Sequence, residues 1–176
     1  MSQPSPFTLR PATAGDVPVI LACIRGLAEY EKLAHEVVAT EELLRETLFG
    51  ARPAAEVILA MHGDEAAGFA LFFHNYSTFL ARPGVYLEDL FVFPRFRGQG
   101  LGRRLLAELA RITIARAGGR LEWSVLDWNA DAIRFYQSVG AQAMSDWTVN
   151  RVTGDALRAL AASGGGHENS ASRPRR

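Results

Sequence analysis

The sequence predicts an α/β protein (α+β in its segregation) with a mixed, mostly antiparallel central sheet and helices on both faces. The hydrophobic period switches repeatedly between 2 and 3.6 along the chain, which marks alternating strands and helices. In the first half, one strand and two helices precede three strands in a row, the signature of a meander. The second half instead alternates helix and strand, and such units close through crossovers onto parallel strands.

Phe7 to Arg10 reads as a short strand closed by Pro11. Thr13-Ala-Gly-Asp16 reads as a capping box, with Asp in place of Glu or Gln. Val17, Ile20, Leu21, Ile24, Leu27 and Ala28 follow at helical spacing, predicting a helix over 14–33. Thr40 caps a shorter helix carrying Leu43, Leu44 and Leu48, which Gly50 and Pro53 end. Strands follow over Glu56 to His62 and Ala67 to Tyr76, joined by a turn at Gly63-Asp64. A third long strand covers Val85 to Phe93. Gly100 to Arg116 is a helix ended by Gly118-Gly119, and Leu121 to Leu126 is a strand. Asn129 caps a helix with Ile133, Phe135 and Tyr136, ended by Gly140. A last strand is expected over about 141–152 and a short helix over Asp155 to Ala161. The expected organisation is one domain over 7–161, with a disordered tail over 163–176 rich in Gly, Ser, Pro and Arg.

With 176 residues the chain can bury a sizeable core. Lys plus Arg and Asp plus Glu balance at 19 each, so charge gives no reason to expect nucleic acid or a membrane surface as partner. Cys23 is the single cysteine, which excludes an internal disulfide and a multi-cysteine metal site. His35, His62, His74 and His167 lack metal-ligand spacing, so no metal is expected. Met1 to Phe7 lacks the basic start and apolar centre of a signal peptide, which makes the cytoplasm the expected location.

The most informative stretch is Val92-Phe-Pro-Arg-Phe-Arg97-Gly98-Gln99-Gly100-Leu101-Gly102-Arg103-Arg104. A strand ends, glycines let the backbone approach a ligand, and a helix begins, which makes an anion cradle. Arg97, Arg103 and Arg104 add positive charge, so the reading is a pyrophosphate site. A P-loop would need Lys-Ser/Thr after the last Gly, where Arg103-Arg104 stands. A dinucleotide fingerprint would need its third Gly one residue later, after a parallel strand near the chain start.

Arg97-Gly-Gln-Gly-Leu-Gly102 resembles the acyl-CoA-binding signature of the GNAT superfamily, Arg/Gln-x-x-Gly-x-Gly/Ala. Tyr86-Leu-Glu-Asp-Leu-Phe-Val92, Asp127-Trp-Asn129, Phe135-Tyr136, Arg10-Pro-Ala-Thr13 and Leu27-Ala-Glu-Tyr-Glu-Lys-Leu33 extend the resemblance to the diamine acetyltransferase branch. That branch includes spermidine/spermine and thialysine acetyltransferases. The resemblance implies the GNAT fold, acetyl-CoA as cosubstrate, a small amine as acceptor and a homodimer. It implies that backbone groups of Leu90, Phe91 and Val92 hold the pantetheine arm and thioester. Residues 97–103 (Arg97, Gly98, Gln99, Gly100, Leu101, Gly102, Arg103) would hold the pyrophosphate, and Asn129 and Ala132 would also contact CoA. Tyr136 would sit beside the sulfur. Tyr30, Glu31, Ser77 and Glu88 would line the amine pocket, with Glu122, Trp123 and Ser124 as its other wall.

Acetyl transfer to an amine requires a proton acceptor, because a Lys-like ammonium has a pKa near about 10.4. Glu88 or Asp89 is the natural candidate, and strand alternation is expected to aim one carboxylate at each face. The resemblance favours Glu88 acting through a water. Tyr136 can protonate the leaving thiolate.

Six acidic residues against two basic ones over 29–46 would favour a cationic substrate. Ser77-Thr78 stands where polyamine enzymes place an aspartate, and the region of Ser145-Asp146-Trp147 lacks their Glu-Glu pair. Fewer carboxylates point to a lysine-like or short diamine substrate rather than spermine. The competing readings are an acetyltransferase for protein lysines or N-termini, and a catalytically silent CoA-sensing module.

Overall fold

A computed structural model of the chain describes residues 6–164. Of the tail expected over 163–176, Ser163 ends the last helix, and the part beyond Gly164 lies outside the described residues. Five strands form one sheet in the order β1-β2-β3-β4-β5, namely β1 (Phe7–Pro11), β2 (Glu56–His62), β3 (Glu65–Ser77), β4 (Arg82–Val92) and β5 (Leu121–Trp123). The first four pair antiparallel and β5 joins β4 in parallel. The helices are α1 (Val17–Tyr30), α2 (Glu41–Phe49), α3 (Leu101–Ala115), α4 (Ala130–Ser138) and α5 (Gly154–Ser163). The mixed, mostly antiparallel sheet expected from the sequence is the one that forms.

Alternation along the strands divides the core into two layers. Val57, Leu59, Phe69 and Phe91 face α1 and α2, packing with Val17, Ile20, Leu21, Cys23, Leu44 and Leu48. The intervening residues Ile58, Ala70, Phe72, Val85 and Leu87 are also buried and lie outside that cluster. They meet the other face, where α3 buries Leu101, Leu105, Leu106 and Leu109. The parallel β4–α3–β5 crossover thus lays α3 against the sheet.

The turn into α1 is fixed by Asp16. Its carboxylate accepts the backbone N–H and hydroxyl of Thr13 and two bonds from the Arg10 guanidinium, at 2.7 and 2.8 Å. Arg10 holds that carboxyl well below its usual range. Gly26 lies mid-helix, where Gly costs about 1 kcal/mol relative to Ala. The reason is contact, since a Cβ there would come within 2.7 Å of the Phe91 ring. Cys23 is fully buried, and burial pushes its thiol up to about 12, which makes it packing rather than a nucleophile.

The compact unit that holds the sheet runs through Phe135, and a second begins at Tyr136. In the second, the strand expected over about 141–152 does not form. Its exposed apolar residues Met144, Trp147, Val149 and Val152 fall at uneven spacings, so no strand face collects them. The helix expected over 155–161 does form, as α5. No helix among the described residues is long and apolar enough to cross a membrane.

Candidate active site

The site begins where two strands part. Parallel pairing of β4 with β5 runs only from Val85↔Leu121 to Leu87↔Trp123, while β4 continues to Val92. Beyond Leu87, β4 therefore has no strand partner on its β5 side, and backbone groups along Leu90, Phe91 and Val92 line the gap. At the same point β4 bulges. Leu71 pairs with Asp89 and Phe72 with Leu87, leaving Glu88 as the extra residue.

The bulge overturns the expectation that Glu88 and Asp89 face opposite sides. Leu87 pairs with Phe72 and Leu90 with Ala70, and these partners share the α3 face. Both acidic residues therefore sit between two residues of one face. Asp89 pairs with Leu71, which packs on the α1 side. Glu88 is exposed and Asp89 is partly buried. Burial, then repulsion from Glu88 and Glu31, pushes the Asp89 carboxyl up from 3.8 to about 6. Glu31, at the end of α1, is itself raised by burial. The sequence-predicted residues Glu31 and Glu88 thus meet at a third carboxylate, Asp89, which is the strongly perturbed member.

The glycine loop lies between β4 and α3. Gly98 and Gly100 take positive φ of 73° and 76°, and Gly100 is the N-cap of α3. A Cβ built on either meets nothing within 4 Å, so internal packing does not demand glycine there. What does demand it is the backbone turn, which leaves open space beside the start of α3. That space suits an anion at a helix N-terminus. Gln99 donates to the Arg95 carbonyl at 3.4 Å, and Arg103 is exposed on the first turn of α3.

Arg97 ties this loop to the rest of the site. Its Nε donates to the Val92 carbonyl at 2.9 Å, and its guanidinium lies 4.8 Å over the Tyr30 ring and 5.7 Å over that of Phe91. The Tyr30 hydroxyl donates to Asn129 Oδ1 at 3.1 Å, the same oxygen that caps α4 through the Ala132 N–H at 3.3 Å. The glycine loop, the end of α1 and the α4 cap are therefore linked through three side chains. Tyr136 lies on α4 as the first residue of the second unit, and its carbonyl accepts bonds from Val139 and Ala141.

Glu122 and Ser124 lie at β5 and just beyond it. Glu122 accepts from Asn75 Nδ2 at 2.6 Å, and Ser124 shares a 2.7 Å hydrogen bond with the Tyr86 hydroxyl. Trp123, between them on the strand, is partly buried. Ser77 is not brought to this group. It pairs with Arg82 at the far end of the hairpin, about 20 Å along the strand from Glu88. There it is buried, and its hydroxyl caps the turn by accepting the Leu80 N–H at 3.3 Å. Residues missed in the sequence are Asn75, Tyr86 and Arg120. The alternation Arg120-x-Glu122-x-Ser124, on one face of a strand, was the available signal.

No group of three or more His, Cys, Asp or Glu among the described residues could hold a metal ion. The glycine loop at the start of α3, the edge of β4 beyond its pairing with β5 and the carboxylates of Glu88 and Asp89 follow one another along β4 and the loop after it. The chain matches the acetyltransferase (GNAT) family over residues 24–141. It belongs to that family and is an N-acetyltransferase. It is 36% identical to an L-ornithine N5-acetyltransferase of Arabidopsis thaliana, with 86% of each protein covered. It is 38% identical to the thialysine N-epsilon-acetyltransferase of Mus musculus, over 87% of this chain and 96% of that protein. Among solved structures, an integron cassette protein from the mobile metagenome of V. cholerae matches with a TM-score of 0.76 at 26% identity, covering 90% of this chain and 99% of that one.

Proposed function

We propose that the chain transfers acetyl from acetyl-CoA directly to the primary amine of a small cationic molecule of the thialysine, lysine, ornithine or short-diamine type. The observation that carries this reading is the unpaired edge of β4 between the glycine cradle and the carboxylate cluster. The relatives that act on ornithine and thialysine support the acceptor class. Acetyl-CoA, when bound, supplies an activated thioester. Residues 97–103 hold its pyrophosphate through loop amides and arginine charge, and Asn129 and Ala132 also contact it. Backbone groups of Leu90, Phe91 and Val92 orient the arm and polarise the carbonyl oxygen as it gains charge.

The ammonium enters among Glu31, Glu88 and Asp89, and Tyr30 forms a wall. Asp89 takes the amine proton, directly or by way of Glu88 and a water, because its raised pKa makes it the better-matched base near neutral pH. Tyr136 returns a proton to the departing thiolate, the role its resemblance implies. The same reading carries a single catalytic domain over 7–161 and a cytoplasmic homodimer. It includes no metal, membrane or nucleic-acid partner.

Thiol release with thialysine, lysine, ornithine, putrescine, spermidine, spermine and a lysine peptide tests the acceptor class. Small amines with one or two positive charges are expected to exceed spermine and the peptide by at least about tenfold in kcat/KM, since each desolvated charge mismatch costs about 1.4 kcal/mol or more. Comparable turnover of spermine or the peptide would overturn it.

A further inference from the structure

We infer that Arg120, Glu122 and Asn75 form a subsite for the α-carboxylate and α-ammonium of an amino acid whose distal amine is acetylated. The inference rests on the acetyl-transfer reading above and narrows its acceptor to ω-amino α-amino acids over diamines. Arg120 Nε lies 2.8 Å from Glu122 Oε2, and Asn75 Nδ2 donates to that same oxygen. The three side chains bridge β5 to β3 across Gly84, where a Cβ would run into Asn75 Oδ1. Only glycine on the intervening strand leaves room for them.

Register places this group on the sheet face that carries Asp89. Leu71, Phe73 and Asn75 alternate on β3 and share one face. Asp89 pairs with Leu71, Tyr86 with Phe73, and Glu122 with Tyr86. Glu122 thus stands about 7–10 Å along β4 from Asp89, and the backbone of Arg120, level with Gly84, two residues further. The Phe73 and Tyr86 rings stack 5.2 Å apart at the level of Glu122 and form an apolar floor there. A substrate with an amine at one end and charge at the other, joined by methylenes that lie on the rings, matches that spacing.

The charge around Glu122 is of both signs. Arg120 and Glu122 are each about one third exposed, at 37% and 35%. Arg120 Nε is buried and lacks a hydrogen-bond partner, and Nη2 donates to the Tyr76 carbonyl at 3.5 Å, so the other terminal N–H groups of the guanidinium are the donors a substrate carboxylate would meet. A zwitterion gives each member its opposite, carboxylate on Arg120 and ammonium on Glu122. A diamine sets its second ammonium against Arg120, a like-charge contact that disfavours it.

The test is the ratio of kcat/KM for L-ornithine to that for putrescine, and for L-lysine to cadaverine. Wild type is expected to favour the amino acid by roughly 10- to 100-fold, the loss expected when a charge-assisted contact goes unmade. L-Ornithine amide, which lacks the carboxylate charge, is expected to lose most of that advantage through KM, with no change to the protein. Arg120→Gln is expected to collapse the ratio toward one, and Arg120→Lys to restore part of it. A wild-type ratio near or below one overturns the subsite while leaving acetyl transfer intact. So does a ratio unmoved in Arg120→Gln despite lowered thermal stability, which would make the cluster a strand tether. No acetylation of any of the four amines overturns both readings.

Discussion

Asp89→Asn is expected to lower kcat/KM for the amine about 10²- to 10⁴-fold, the range a general base supplies. In wild type the rate falls as pH drops through about 6, where Asp89 becomes protonated, and that limb disappears in the variant. Stability moves the other way. Burial raises the folded-state pKa above the ordinary 3.8, so the contribution of the neutral carboxyl is full below about pH 4 and is lost as pH rises through about 6. Above that, the folded protein carries a buried charge costing up to about 3 kcal/mol. Asparagine removes that cost, so thermal unfolding at pH 8 is expected at a higher temperature than wild type. A variant that is both active and less stable at pH 8 would make Asp89 structural. Retained activity in Asp89→Asn with loss in Glu88→Gln would return the role to the bulged residue.

Gly100→Val is expected to weaken acetyl-CoA binding by two orders of magnitude or more, measured by calorimetry. At a φ of 76° a β-branched residue is strained by about 1–3 kcal/mol. That strain alone would lower the unfolding temperature and leave the affinity of the folded fraction intact. The affinity falls because the side chain projects into the open space beside the α3 amides, where, among the described residues, nothing beyond its own chain neighbours and helix backbone lies within 4 Å of the Cβ. Gly63 has a similar φ of 60° and the same open surroundings, but it lies in the β2–β3 turn. Gly63→Val therefore serves as the control, with comparable strain and unchanged acetyl-CoA affinity. Equal losses in the two variants would remove the phosphate role from the loop.

Much of this architecture is legible in the residues because local and global signals agree. Glu56 to His62 holds a continuous apolar run, Val57 to Met61, that ends at a Gly63 turn, and the strand forms over those residues, buried on both faces. Arg97 to Gly102 places glycines where φ turns positive and a helix starts. The bulge at Glu88 is not legible, because Tyr86-Leu-Glu-Asp-Leu-Phe-Val92 reads as an apolar strand carrying two adjacent carboxylates. The extra residue is defined only by its pairing with β3. For the same reason the sequence splits Glu88 and Asp89 across two faces, and the structure does not. The linkage of Arg97, Tyr30 and Asn129 joins residues far apart in the chain, and nothing in their spacing announces it. The segment over 141–152 shows the opposite failure, β-prone residues without a consistent face.

Initial velocities of thiol release, with acetyl-CoA varied at several fixed concentrations of L-ornithine, test direct transfer most plainly. Intersecting double-reciprocal lines are predicted, because amine and acetyl-CoA must occupy the cleft together. The buried Cys23, its thiol pushed up to about 12, offers no covalent route. Parallel lines with an acetylated enzyme isolable before amine is added would contradict the account.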